Sequence, residues 1–404
     1  MFLTASGILG QSRPQPITLN EALRIALQNN PRLRAASASV EGAQAGIISA
    51  RAYTNPTLTF GSLGRQRALQ DTAVPGMLTG LTFTQPVELP VVRRTRIEAA
   101  EIGKQSRQHE MSEVQLQVAG QVKQAFYEAM RRKGELDIAE GNLQLLEDLH
   151  RRIEVSVRVG EAARLELTRA DAELAAARIQ VQSASLRRAA AVSMLSAATG
   201  TQLGNVEPTA TLPPPAILPP ISELLSEALA KHPSIALAQS EERRAAAGLA
   251  SEKAQRLPQP SVWADVFQQP DSAQYRFGVT VTLPAWNHRQ GPIAEAVAAR
   301  HQATALLAQR RIEIETALDR AFNLYQVASR QVEIFETGTL RGAEAALQAA
   351  EAAFRFGERG IIEVFDAQRV LRAARLDYLN AQFDRQIALV ELEQLRAVEP
   401  GAIP

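Results

Sequence analysis

Residues 354–369 have the sequence FRFGERGIIEVFDAQR, and they interrupt a long alanine-rich run that contains no proline. Gly357 and Gly360 can adopt the positive φ that ends a helix, because glycine has no Cβ to clash with the backbone. Glu363 and Asp366 follow in the first turns of a new helix, where a carboxylate interacts favourably with the helix dipole. The stretch therefore predicts a sharp turn between two long helices.

The chain contains this turn twice. Three of its positions recur 197 residues earlier, as Gly160 for Gly357, Glu161 for Glu358 and Glu166 for Glu363. A second pair of matching segments, TLNEALRIALQNNP at 18–31 and ISELLSEALAKHP at 221–233, opens each copy. Thr18 or Asn20 can cap the first of these short helices. Self-similarity at a nearly fixed spacing indicates a tandem duplication.

Each copy changes from a helical to an alternating pattern after a helix-compatible segment, 32–53 or 234–256, that is followed by a proline. Hydrophobic residues then alternate with threonine, glycine and other polar residues, which is the pattern of a half-buried strand. The predicted strands lie at about 57–63, 77–86, 261–267 and 275–283. They form two hairpins with long connecting loops.

The alternating pattern leaves two interpretations of these strands open. Four strands are too few to close a barrel, so they form either a small open sheet packed on helices or part of a barrel shared by several copies of the chain. No stretch approaches the roughly 18–20 uninterrupted apolar residues of a membrane helix. Any passage through a membrane would therefore have to use strands.

Very long helices precede the turns, because no proline occurs from Val91 to Glu207 or from Ile293 to Glu399. A single helix over 91–157 would be about 100 Å long. The helix after each turn has a hydrophobic seam at alternating steps of three and four, which is typical of coiled coils. The seams are Leu167, Ala170, Leu174, Ala177, Val181, Ala184, Ala191, Leu195 and Ala198, and Val364, Ala367, Leu371, Ala374, Tyr378, Ala381, Ala388, Leu392 and Leu395. Arg188 and Arg385 interrupt them at equivalent places.

The composition argues against several classes of protein. A net charge of +1 and an aromatic content of 5% argue against nucleic-acid binding. The 404 residues include no cysteine, which excludes disulfides, thiol catalysis and a lipid attached to cysteine within them. There is no phosphate-binding glycine loop, nucleophile elbow or zinc motif, and the five histidines lack the spacing of metal ligands. We therefore expect no enzymatic activity, no cofactor and no metal site.

The duplication predicts the organisation of the whole chain. Residues 1–16 are a disordered leader or the tail of a signal peptide, and 17–206 are the first repeat. Residues 207–220 are a proline-rich extended linker, 221–399 the second repeat and 400–404 a tail. Since each repeat contributes the same kinds of element, the linker separates repeats rather than domains.

Two copies of short helix, helix, strand pair, long helix, glycine turn and return helix resemble the outer membrane efflux channels of the TolC family over nearly the whole chain. LNEALRIALQNNP at 19–31 is similar to the family's repeat-opening segment, and FGERGIIEVFDAQRVL at 356–371 is similar to its periplasmic turn. The resemblance implies a mainly α fold with a small β part. It further implies a homotrimer with a helical tunnel and a 12-stranded β-barrel, to which each copy contributes four strands.

The resemblance also implies a location, a function and partners. The location is the outer membrane of a Gram-negative bacterium, in contact with its lipid, with a large periplasmic part. The function is a passive conduit that carries substrates out of the cell from an inner-membrane pump of the resistance-nodulation-division type and a periplasmic adaptor, a membrane fusion protein. The junctions at 83–101 and 283–296 are similar to those of the heavy-metal subfamily, which implies metal cations as substrates. The alternative is a non-membrane periplasmic coiled-coil scaffold or adaptor.

The resemblance assigns a periplasmic gate to the charged residues around the turn. Glu363 and Asp366 match two acidic positions that line the family's tip constriction, and Arg359 matches a tip arginine that holds the helices closed. In the first repeat Glu166 matches Glu363, whereas Arg169 stands where Asp366 has its charge. This pattern permits an Arg169–Asp366 pair between helices. Without the resemblance, these residues are solvated or capping charges at a helix start.

The same resemblance assigns the turns to adaptor docking, with Gly160, Gly357 and Gly360 shaping the tip. At the family's tip tyrosine position this chain has Phe354. A closing hydrogen bond from that hydroxyl is therefore missing here.

Overall fold

The computed structural model describes residues 15–66 and 74–398. The first half contains β1 (Gln15–Ile17), α1 (Leu19–Asn29), α2 (Pro31–Arg51), β2 (Thr57–Gln66), β3 (Gly76–Pro86), α3 (Pro90–Arg158) and α4 (Arg164–Thr199). The second half contains β4 (Val206–Pro208), α5 (Ile221–Lys231), α6 (Pro233–Ala254), β5 (Gln259–Gln268), β6 (Ala273–Thr282), α7 (Gln290–Ile334), a π-helical segment (Phe335–Thr339), α8 (Leu340–Arg355) and α9 (Ile361–Leu395). The predicted mainly α fold with a small β part is confirmed.

The predicted helix start at Thr18 is confirmed, and the structure selects it over Asn20. The Thr18 side chain accepts a hydrogen bond from the Glu21 backbone at 3.3 Å, and the Glu21 carboxylate accepts one from the Thr18 backbone at 2.9 Å. This reciprocal arrangement is a capping box. The hydrogen bonds to Thr18 lower the pKa of Glu21 below its usual value.

The four predicted strands form one antiparallel sheet in the order β2-β3-β5-β6. The two hairpins join through β3 and β5, which pair from Thr79↔Gln268 to Pro86↔Ser261. The second hairpin has a short connection at 269–272, and residues 67–73 of the first connection lie outside the described ranges. A separate parallel pair of β1 with β4 was not predicted.

The structure places the end of the leader and the start of the proline-rich linker differently from the sequence boundaries, whereas α5 begins at Ile221, where the linker was predicted to end. Gln15 and Pro16, assigned to the leader, lie in β1, and Glu207 and Pro208, assigned to the linker, lie in β4. Residues 1–14 of the leader and 399–404 at the other end lie outside the described residues. The repeat boundaries themselves stay a prediction.

The long helix predicted over 91–157 is confirmed as α3, which has 69 residues. The seams are also confirmed: Leu174 and Ala177 of α4 are buried, as are their equivalents Leu371 and Ala374 of α9. Alanine at these places lets neighbouring helices approach closely. The interrupting arginines are half-buried, in agreement with a packed stem and a hydrated head.

Between its buried stripe and its turn, the outgoing helix of the second half contains one more residue than that of the first. Val118, Val122 and Ala129 are buried in α3, and residues 196 positions later are buried in α7: Ile314, Leu318 and Tyr325. The turn glycines, however, match at a spacing of 197. The π-helical segment Phe335–Thr339 lies between these two sets. Because a π-helical turn accommodates an inserted residue, the buried stripe is kept on both sides of it.

Two compact units divide the chain. The described part of the first comprises 15–35, 112–232 and 312–398, and the second comprises 36–111, with the gap at 67–73, and 233–311. The first contains two hydrophobic clusters, one around Phe126 and Leu195 and one around Ile153 and Val364. The second contains the four-stranded sheet. In the described ranges, no helix is both long enough and apolar enough to cross a membrane.

Candidate functional site

Both predicted turns end a helix in the same way. Gly357 has φ +70° and Gly160 has φ +84°. The amide of Gly357 donates to Phe354 at 3.0 Å, and the amide of Glu358 donates to Ala353 at 2.9 Å. This pair of bonds is a Schellman motif, in which glycine relieves the cost of the left-handed conformation.

The positive φ expected at Gly360 is wrong. Gly360 has φ −79° and ψ 161°, and it is the N-cap of α9. The chain has already turned at Gly357, so Gly360 only connects the turn to the new helix in extended backbone. Any residue can adopt this conformation, and a Cβ at Gly360 would meet nothing within 4 Å.

The first turns of α9 divide into a buried and an exposed face. Ile361, Val364 and Phe365 are buried in a cluster with residues of α3, α4 and α8. Glu363 and Asp366, three positions apart, are exposed. Helical spacing therefore anchors the start of α9 by its apolar face and leaves both predicted gate carboxylates in solvent.

Each carboxylate has a basic partner on its own chain. Arg359 forms an ion pair with Glu363 at 3.1 Å. Asp366 contacts Arg369 at 3.3 Å, so its partner is Arg369 rather than Arg169. Within the described ranges no hydrogen bond or ion pair joins Arg169 to Asp366.

The first turn presents a different set of charges. Glu166 is half-buried in the first turn of α4, and Arg169 is exposed one turn further on. Gly160 is exposed, and a Cβ there would meet nothing within 4 Å. The two turns thus share a backbone conformation and differ in charge.

Two side chains of α9 connect the hairpin of α8 and α9 to α4, and sequence reasoning did not assign them a role. Arg369 forms an ion pair with Glu173, and Arg372 donates to the Gln180 side chain at 2.6 Å. The hydrogen bond to Glu173 raises the pKa of Arg369. The one sequence signal is that Glu173 and Arg369 carry opposite charge in the third turn of the helices that follow equivalent glycine turns.

Titratable groups in this region do not form a metal centre. His150 of α3 contacts Asp171 of α4 at 2.7 Å. In the part of the chain that the structure describes, no group of three or more His, Asp or Glu side chains could hold a metal ion. The turn at Gly357 therefore presents a set of exposed charges that pair within the chain.

Comparison with known proteins identifies the class. The family model described as "Outer membrane efflux protein" matches residues 22–201 and 224–397. The chain belongs to this family, and it is an outer membrane channel of a tripartite efflux system. The expected family and the expected function as an efflux channel are confirmed, and the scaffold or adaptor alternative is not supported.

Individual relatives are named for metal resistance and for pyoverdine export. The cobalt-zinc-cadmium resistance protein CzcC of Cupriavidus metallidurans is 27% identical over 374 residues, which cover 90% of this chain and 86% of that protein. The pyoverdine export outer membrane protein OpmQ of Pseudomonas putida is 26% identical over 410 residues, with coverage of 94% and 83%. The crystal structure of CusC has a TM-score of 0.80 at 20% identity, with coverage of 96% and 95%.

The link between Glu173 and Arg369 predicts a local effect on stability at the turn. R369Q removes the charge pair, and we expect backbone amides at 361–366 to exchange with deuterium about two- to fivefold faster, since a partly exposed pair contributes less than about 1 kcal/mol. The charge swap E173R with R369E should restore the slower exchange. D148N, which removes a pair within α3 alone, is the control, and equal effects of R369Q and D148N at 361–366 would contradict the link.

Proposed function

We propose that the chain assembles as a homotrimeric ring, in which each copy contributes four strands to a 12-stranded outer membrane barrel and its helices to a tunnel through the periplasm. The observation that carries this proposal is an uncovered face of α4. The equivalent face of α9 is covered within the chain by α3. A ring would cover α4 in the same way, through the next copy.

The covered face of α9 packs on α3 through both apolar and charged contacts. Phe383, which is 4% exposed, and Val390 lie in one hydrophobic cluster with Phe126 and Tyr127. The ion pairs Lys123–Glu393 at 2.7 Å and Arg131–Asp384 at 3.5 Å border this cluster. The face of α9 is therefore part of a packed helix–helix interface with α3.

The matching face of α4 has no such cover. Leu186, equivalent to Phe383 at the spacing of 197, is 71% exposed, and Ile179 and Met194 are each 64% exposed. Hydrophobic side chains at this spacing form a second seam that is left in solvent in one chain.

We propose that the partner face lies on α7, the equivalent of α3. At the spacing of 196, Arg131 corresponds to Val327, which is 54% exposed, and Leu116 to Ile312, which is 60% exposed. Two different faces that fit each other make a head-to-tail contact, which closes into a ring when the rotation allows.

The sheet supports the same arrangement. Its order leaves β2 and β6 as open edges, which a neighbouring copy can pair. One face has apolar side chains such as Phe277, which is 90% exposed. The other face has the Asp265–Arg276 ion pair and Trp263 opposite Gly278. An apolar outer face and a polar inner face are the pattern of a membrane barrel.

Cross-linking tests the ring directly, because the chain has no cysteine of its own. With L186C and V327C in one chain, a short thiol cross-linker should give covalent dimers and trimers, since Leu186 of one copy would lie beside Val327 of the next. The readout is the ladder on a denaturing gel.

Two controls define the result. R131C with F383C places the thiols at the equivalent positions of α3 and α9 inside one chain, where Arg131 lies beside Asp384, so its product should stay a monomer. Either single variant, L186C or V327C, should give no ladder. A double variant that stays monomeric in intact cells would contradict the proposed ring.

At the tip, we assign the gate to Glu363 and Asp366, with Arg359, Glu166 and Arg169 around them. Six carboxylates from three copies would favour cations over anions at the narrowest point. The turns at Gly160, Gly357 and Gly360 would dock a periplasmic adaptor, which delivers substrate from an inner-membrane pump of the resistance-nodulation-division type. Arg369 is placed to hold Asp366 and Glu173 together in the closed state.

Removing the gate charges should change ion flow. We expect E363A with D366A to raise the conductance of the reconstituted channel and to lower its cation selectivity, because the carboxylate ring is lost. D137A with E140A removes the same charge from an exposed pair on α3 and should change neither quantity. Unchanged conductance and selectivity in the gate variant would exclude these carboxylates as the gate.

The relatives and the acidic tip support divalent metal cations as the substrate class. Deletion of the gene should raise cellular cobalt, zinc or cadmium after metal exposure, and the wild-type gene should restore export. The measurement is metal content by mass spectrometry beside the secretion of a siderophore. If the metal content is unchanged and siderophore secretion falls, the proposed metal substrate is wrong and the channel exports a siderophore.

A further inference from the structure

The four connections between strands and helices lie at one end of the sheet. The register pairs Thr57 with Thr84 and Gln259 with Thr282, so the starts of β2 and β5 lie beside the ends of β3 and β6. The residues that link α2 to β2 and β3 to α3 therefore meet at this end. We call it the junction end.

A cleft of about 520 Å³ opens at the junction end. It is lined by Tyr53, Glu88, Pro90, Arg93, Arg94, Ile97, Glu98 and Glu101. The Arg93 guanidinium lies over the Tyr53 ring, 4.6 Å from its centroid. Stacking of this kind fixes the plane of an arginine while its edge stays available for hydrogen bonds. We call this the Tyr53–Arg93 cleft.

Two of the three acidic residues in the cleft are already neutralised. Glu88 accepts from Arg96 at 2.9 Å, and Glu101 accepts from Arg51 at 2.8 Å. Neither Arg93 nor Arg94 forms an ion pair within the described ranges. Because only Glu98 opposes these two arginines, the cleft has an excess of positive charge.

Arg93 has donor capacity that the protein does not use. One Nη donates to the Arg51 carbonyl at 2.8 Å. Its Nε is buried and has no hydrogen-bond partner among the described residues. A buried guanidinium N–H without an acceptor is costly, so an anion seated in the cleft would satisfy it. The preferred anion is one with oxygens spaced for an arginine fork, which is a phosphate group.

The corresponding junction of the second repeat differs. There Arg289 is held by Glu252, with Nε 3.1 Å from Oε2, and the cleft of about 430 Å³ is lined by mainly neutral residues. Trp286 lies in that cleft and is 94% exposed. The junction end therefore combines one arginine cleft with one exposed indole. Exposed tyrosine and tryptophan beside arginine are typical of the border between bilayer and water.

We infer that the Tyr53–Arg93 cleft binds the phosphodiester of an acidic phospholipid in the periplasmic leaflet of the outer membrane, with Trp286 inserted among neighbouring headgroups. The inference rests on the proposed barrel, because that barrel places the junction end at the membrane surface. Arg93 and Arg94 hold the phosphate, and Tyr53 keeps Arg93 oriented. The unpaired charge favours a headgroup with net negative charge over a zwitterionic one.

Native mass spectrometry of the purified trimer with dioleoyl phosphatidylglycerol tests this site. R94Q should lower lipid affinity about fivefold, and R93Q with R94Q should lower it further. Arg94 is exposed, so R94Q should leave the fold intact. The single variant therefore tests the site even if the double variant is destabilised by the loss of the Arg93–Arg51 hydrogen bond. R289Q, at the paired junction of the second repeat, is the matched control and should bind as the wild type does. Dioleoyl phosphatidylcholine should bind more weakly than phosphatidylglycerol.

Each outcome separates this site from the proposed channel. A wild-type trimer of normal conductance whose lipid affinity is the same in R94Q and in the double variant would overturn the lipid site alone. Displacement of the lipid by millimolar inorganic phosphate would also overturn it, because it would make the cleft a site for free phosphate. Absence of the trimer from outer membranes would instead count against the proposed channel.

Discussion

The structure depends on the burial of one alanine- and leucine-rich seam in each helical hairpin. Steps of three and four keep Leu174 and Ala177 of α4, and Leu371 and Ala374 of α9, on a single buried face. Because each seam must face the helix that precedes it, the chain has to reverse within a few residues. The Schellman turns at Gly160 and Gly357 provide that reversal. Glu363 and Asp366 are exposed because the apolar side of α9 faces the buried seam and its charged side faces solvent.

Local patterns were enough to predict the elements that bury one face. The strands, the long helix α3, the start of the first short helix and both seams follow from spacing along the chain, and the structure decides only that Thr18 rather than Asn20 is the cap. Contacts between distant segments were beyond such reasoning. The β1–β4 pair and the Glu173–Arg369 ion pair join residues far apart in sequence, and nothing local marks them. Gly360 shows the opposite limit, because a glycine permits a positive φ without requiring one.

Because the chain contains two similar repeats, the exposure of equivalent side chains can be compared within one structure. Phe383 and Leu186 occupy equivalent places, yet one is buried and the other is in solvent. A sequence pattern cannot distinguish the two, because both helices have hydrophobic residues on that side. Only the fold shows that α3 covers α9 while the matching face of α4 stays open. The charges at the turns and at the strand junctions have diverged in the same way, so the halves share a backbone design and differ in what they can bind.

The π-helical segment accommodates the one extra residue that the second hairpin contains between its buried stripe and its glycine turn. From Val118 to Gly160 and from Ile314 to Gly357 the chain differs in length by a single residue, and Phe335–Thr339 takes up that residue. One residue of plain α-helix would have turned every later side chain by about 100°. With the bulge, Ala343 and Leu347 of α8 stay buried in the cluster around Ile153 and Val364. The insertion is therefore absorbed within a single turn of helix, and the seam beyond it keeps its buried face.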